Sequence, residues 1–160
     1  PGWDVDPDAL GPFRADVGLM AHVGYDIERI GPVLDALEGA ALRLCIAVMG
    51  EGAMTTVGRL YWEPTHGEPR VPLPALPDFL ALLVARDRLP EVRLVERETH
   101  AFPDLDALHD AARRQLWLRP GSERDALLRR MLERDAVPTE GGVALPEDRS
   151  RIGIISWVPR

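Results

Sequence analysis

The chain has 160 residues, 46% of them hydrophobic and 28% charged, the proportions of a soluble globular protein of one domain rather than a disordered chain. A formal charge of -7 gives phosphate backbones no global attraction, which makes nucleic acid an unexpected partner. No stretch reaches the roughly 18 apolar residues of a membrane span, and a lone Cys45 in an apolar run excludes an internal disulfide and points to a reducing, cytoplasmic setting.

Residues 1 to 14, rich in Pro, Gly and Asp, predict an irregular approach. Pro1-Gly2-Trp3-Asp4 has neither Met nor a basic n-region and reads as an internal cut, not a signal peptide. The run 15 to 21 is almost continuously apolar, which suits a parallel strand buried on both faces. It stops at His22-Val23-Gly24-Tyr25-Asp26, a polar and aromatic cluster at the end of a strand, where open α/β sheets take their ligands. Pro32 suits the first turn of a short helix with Val33, Leu34 and Leu37 on one face and Gly39 as its stop.

A second apolar strand spans 42 to 49, and strand, helix and strand in this order predict a right-handed βαβ unit. Gly50 to Pro74 then reads as a long irregular loop, a length that is functional or carries a small helix of its own. Pro77 opens a helix to about Arg88, and Glu91 to Glu98 reads as a third strand. Two amphipathic helices follow, near 105 to 116 and 122 to 134, the second with Ser122 as N-cap and Leu127, Leu128, Met131 and Leu132 inward. Gly141-Gly142 marks a turn, and 151 to 158 is a last strand.

Two segments carry a family resemblance: "ADVGLMAHVGYDI" at 15 to 27 and "LPDFLALLVARDRLPEVRLVE" at 76 to 96. With the order of elements around them, they resemble the C-terminal half of a class I S-adenosylmethionine-dependent methyltransferase. The first segment is similar to the family's fourth strand and its loop, the second to its last helix, turn and sixth strand. The resemblance implies an α/β, partial Rossmann-like sheet of strands 4 to 7, the last antiparallel between the fifth and sixth, with helices packed on it and an inserted helical pair. It also implies that residues 1 to 160 are the acceptor-side half of a methyltransferase domain whose glycine-rich cofactor loop lies upstream.

The resemblance assigns Trp3 and Asp4, ahead of the first strand, to the adenine of the cofactor, where a ring stacks on the base and a carboxylate accepts its amine. Ala21, His22, Val23 and Tyr25, just after that strand, would face the methyl group. His22 and Tyr25 would position or deprotonate an acceptor. The segment Leu60-Tyr61-Trp62-Glu63-Pro64-Thr65-His66 collects two aromatics and a His, which makes Tyr61, Trp62 and His66 the expected acceptor contacts.

Other chemistries lack their patterns. Gly50-Glu51-Gly52 begins a dinucleotide fingerprint, but its third glycine position is Thr55. His22, His66, His100 and His109 show no HxxxH or HExxH spacing, so no metal is expected, and Gly-x-Ser-x-Gly is absent. The pairs Arg113-Arg114 and Arg129-Arg130 read as solvated helix faces.

The function expected from the resemblance is methyl transfer to a small-molecule acceptor by a parent protein. S-adenosylmethionine is the expected cofactor, held only weakly by this piece, which is expected to be inactive alone. The alternative is a non-catalytic association module that forms a homodimer through an exposed edge of strand 15 to 21.

Overall fold

In a computed structural model, the structure describes residues 13–53, 55–97, 100–145 and 151–160. Its elements in chain order are β1 (Ala15–Ala21), α1 (Ile30–Ala40), β2 (Ala41–Gly50), α2 (Thr56–His66), α3 (Leu76–Ala85), β3 (Glu91–Glu96), α4 (Leu105–Gln115), α5 (Glu123–Asp135), β4 (Val137–Thr139), β5 (Gly142–Ala144) and β6 (Arg151–Trp157). The protein is α/β, and residue contacts divide it into two compact units.

The first unit holds β1, α1, β2, α3, β3 and β6. Its mixed sheet has the order β1-β2-β6-β3. β1 and β2 are parallel, and β6 is antiparallel to both β2 and β3, so the last strand of the chain lies between the second and the third. The pairing Met20↔Ala47↔Ile155 sets these residues on one face, because directly opposed residues in a sheet project to the same side. Leu34 from α1 and Leu76, Phe79 and Leu83 from α3 complete the core with Cys45, Met49 and Trp157. Each such fully buried Leu contributes roughly 2 kcal/mol of burial free energy.

Strand β1 departs from the expectation of burial on both faces: only Met20 is buried, while Val17 and Leu19 are 45% and 62% exposed. β1 is an edge strand, and α1 and α3 both pack on the Met20 face. The opposite face carries Leu19↔Ile46 and Ala21↔Val48↔Ile154 and, among the described residues, no helix of this unit. All six residues of β3, the other edge, are exposed. Gly39, expected to stop the first helix, lies inside its last turn, and α1 passes into β2 with no residue between Ala40 and Ala41.

One buried ion pair ties α1 to the segment after α3. Arg88 donates from Nε to Glu38 Oε1 at 2.8 Å and from Nη2 to Oε2, and Trp157 Nε1 donates to the same Oε1 at 2.9 Å. The hydrogen bond from Arg88, helped by the one from Trp157, holds the Glu38 carboxyl below its ordinary range despite burial.

The second unit contains α2, α4, α5 and the β4–β5 hairpin. Its core gathers Tyr61, Leu108, Ala112, Leu116, Leu128, Leu132 and Leu145. Ser122 caps α5 as expected, its Oγ accepting from Asp125 N at 3.2 Å. The segment Gly50 to Pro74, expected to be a long loop that is functional or carries a small helix of its own, holds α2, a helix of 11 residues. Thr55 caps it, accepting from Gly58 N at 3.1 Å, and Gly67 ends it in the left-handed region at φ 76. Pro64 sits inside this helix, and Thr65 Oγ1 donates back to Tyr61 O at 2.6 Å. At the hairpin, Gly142 has φ 124, and a Cβ there would lie 2.0 Å from Phe102 O. That approach lets Phe102 and Val143 exchange backbone hydrogen bonds.

Candidate functional site

Parallel strands β1 and β2 deliver their carboxyl ends, Ala21 and Gly50, to the same end of the sheet, where the antiparallel β6 begins at Arg151. His22 N donates to Val48 O at 2.8 Å, which continues the ladder by one residue. The chain then breaks out of the strand, since His22 adopts φ 54. A side-chain-bearing residue in this left-handed region costs roughly 1–2 kcal/mol. Gly24, at φ 100, completes the turn and brings Tyr25 back over the strand ends.

Tyr25 is half-buried and packs against the first unit's core, with its hydroxyl oxygen accepting from Gly50 N at 2.6 Å. His22 Nδ1 lies 3.4 Å from the same oxygen, at the long end of hydrogen bonding, and the bond runs in either direction according to the imidazole tautomer. A Cβ on Gly50 would stand 2.8 Å from Gly52 O, so glycine is needed for this close passage. Beside it, Glu51 N donates to Arg151 O at 2.9 Å, and the Arg151 guanidinium grips the Glu51 carboxylate with both Nε and Nη2. Those bonds hold the Glu51 carboxyl below its ordinary range.

His22 and Tyr25 are therefore brought together, with Ala21 exposed beside them at the strand end. Trp3 and Asp4 lie outside the described residues. Tyr61, Trp62 and His66 belong to the second unit and stand on a helix rather than in a loop. Tyr61 is a core residue, 1% exposed, whose hydroxyl donates to Asp135 Oδ2 at 3.1 Å. The sequence carries no signal for the Gly50 N–H as the anchor of Tyr25, nor for Arg151, which reaches Glu51 only through the β2–β6 pairing.

Trp62 and His66 stack one turn apart on α2, with ring centroids 4.2 Å apart. Trp117, just past the end of α4, meets Trp62 edge-on at 5.9 Å, and the Arg70 guanidinium carbon lies 4.9 Å from the Trp62 ring centre. His66 Nε2 lies 3.0 Å from Leu116 O and must be the donor, since a carbonyl only accepts. Trp62 Nε1 is buried with no acceptor among the described residues. Trp117 is 77% exposed and has φ 52.

Among the described residues, no three His, Cys, Asp or Glu side chains converge as they would around a metal ion, and no helix is long and apolar enough to cross a membrane. No protein-family model matches the sequence, and no curated protein matches it.

Proposed function

We propose that this chain forms the acceptor-side half of a class I S-adenosylmethionine-dependent methyltransferase that acts on a small molecule. The observation that carries the reading is the strand order β1-β2-β6-β3 with β6 antiparallel between two mutually parallel strands, the order the resemblance implies for strands 4 to 7. A second support is the His22–Tyr25 pair at the carboxyl ends of β1 and β2, where open α/β sheets take ligands. The free, buried Cys45 is in keeping with a cytoplasmic setting.

The described residues fit one side of such a cofactor site. Ala21 is small and exposed at the strand end, His22 is exposed beside it, and Gly50 N anchors the Tyr25 hydroxyl. Ala21 and His22 would hold the cofactor, together with Trp3 and Asp4. S-adenosylmethionine supplies an already electrophilic methyl group, so positioning carries much of the acceleration. In the tautomer with its hydrogen on Nδ1, His22 donates to the Tyr25 oxygen and keeps Nε2 as the base that takes a proton from an acceptor hydroxyl or ammonium. Tyr25, anchored by Gly50 N–H, fixes the ring and stabilises the imidazolium that results.

The test is calorimetric titration of S-adenosylhomocysteine into this chain and into a form extended upstream by roughly one βαβαβ half. Binding to the extended form, with transfer lost in His22→Ala and reduced in Tyr25→Phe, is the expected result. Absence of both binding and transfer across an acceptor panel would end the reading.

A second reading, an association module, is favoured by the exposed apolar residues on edge strand β1 and on the sheet face opposite Met20: Val17, Leu19, Leu42 and Ile154. Two copies would pair their β1 edges about a two-fold axis. Light scattering at high concentration gives a dimer mass on this reading, and a strictly monomeric mass excludes it.

A further inference from the structure

Trp117 is placed against ordinary preferences. It follows α4 at the position where helices turn into the left-handed region and favour glycine, yet it carries the largest side chain there is and is 77% exposed. Neither backbone preference nor burial of apolar surface accounts for a tryptophan there, and an unfavourable residue retained at an exposed site points to use. Its neighbours are suited to binding. Trp62 and His66 form a stacked pair whose edge Trp117 meets, and the Arg70 guanidinium lies over Trp62.

Charge narrows the ligand. Among the described residues Arg70 has no carboxylate partner, as is also true of Arg114, Arg119, Arg124 and Arg130 of the same unit, but of these it is Arg70 whose guanidinium lies over an aromatic ring. A cation held against an aromatic ring without a counter-ion repels ammonium ligands and attracts anions. A broad, solvent-facing indole offers its face to a flat ring. The enclosed Trp62 Nε1 adds a donor still without an acceptor among the described residues.

We propose that Trp117, Trp62, His66 and Arg70 form a binding site for a planar aromatic anion, its ring stacked on Trp117 and its carboxylate paired with Arg70. The site lies wholly within the second unit, goes beyond the methyl-transfer reading and does not rest on it. Binding itself needs no cofactor.

The experiment uses 1-naphthoate and its neutral counterpart 1-naphthylmethanol, titrated into the whole chain by saturation-transfer NMR. Naphthoate is expected to bind more tightly than the alcohol. Arg70→Gln weakens naphthoate about tenfold and leaves the alcohol nearly unchanged, as loss of one charge-assisted contact predicts. Trp117→Gly abolishes binding of both while the melting temperature holds or rises, because glycine takes the left-handed conformation without strain. That pairing separates a platform from a structural cover, which would melt earlier when removed. Failure of naphthoate to bind, or a Trp117→Gly variant that melts lower and binds as before, overturns the site.

Discussion

Trp157, on the last strand, donates its indole N–H at 2.9 Å to Glu38, 119 positions earlier on the first helix. The same carboxylate takes both prongs of Arg88. Three segments distant in sequence thus close on one buried anion. Removing one side of a buried, hydrogen-bonded pair leaves the other charge uncompensated. Glu38→Ala is expected to lower the unfolding free energy by about 3 kcal/mol, read from urea denaturation, with Arg88→Ala similar. A loss below about 1 kcal/mol, the worth of an exposed pair, would show that the pair is solvated.

The same pair sets an acid limb. Glu38 titrates below its ordinary 4.5 when folded, so the unfolded chain takes up this proton first. Its stabilisation is complete above 4.5 and is lost as the pH falls through the lower folded value. Urea midpoints measured down the acid range should fall in the wild-type protein and fall less steeply in Glu38→Gln. Glu51 and Asp110 also titrate low, but their pairs are solvent-exposed and add little.

Cys45 is fully buried on β2, and burial, with the nearby Glu38 charge, pushes its thiol up to about 11. Since only the thiolate attacks, an aromatic disulfide reagent at mildly alkaline pH should label native protein at least about a hundredfold more slowly than urea-unfolded protein. Equal rates in the two states would mean that the sheet opens freely at β2.

Two glycines with positive φ should respond differently to alanine. Gly67, at φ 76, has open space around it, so Gly67→Ala carries only the conformational term of about 1 kcal/mol. Gly142, at φ 124, would set a Cβ 2.0 Å from Phe102 O and 2.6 Å from Pro103 O, both backbone atoms. Gly142→Ala is expected to cost about 3 kcal/mol or more, by strain and overpacking together. Thermal melts of the two variants make the comparison, and equal shifts would count against the close Phe102–Val143 pairing.

The strands were legible because the runs at 15 to 21 and 42 to 49 are apolar but for Asp16, Gly18 and Arg43 and are followed by turn residues. Their exposure was not, since it depends on strand order and on which face the helices take, and an isolated run carries neither. Helix α2 was hidden by Gly58 and Pro64, two breakers in 11 residues, although Thr55 and Gly67 bracket it as N-cap and C-terminal glycine. Its packing partners Leu108, Leu128 and Leu132 lie more than forty positions downstream. Of the site, the pairing of His22 with Tyr25 was readable from their adjacency. Trp117 was not legible, because a tryptophan after a helix is unusual only once its φ is known.

The seamless junction of Ala40 and Ala41 makes the first helix a ruler for the strand that follows. With no spare residue to absorb a change, an inserted or deleted amino acid there would rotate the strand by half a turn. Cys45, Ala47 and Met49 would exchange sides with Leu44, Ile46 and Val48. Natural variants of this protein should therefore vary in length almost anywhere before they do so at that joint.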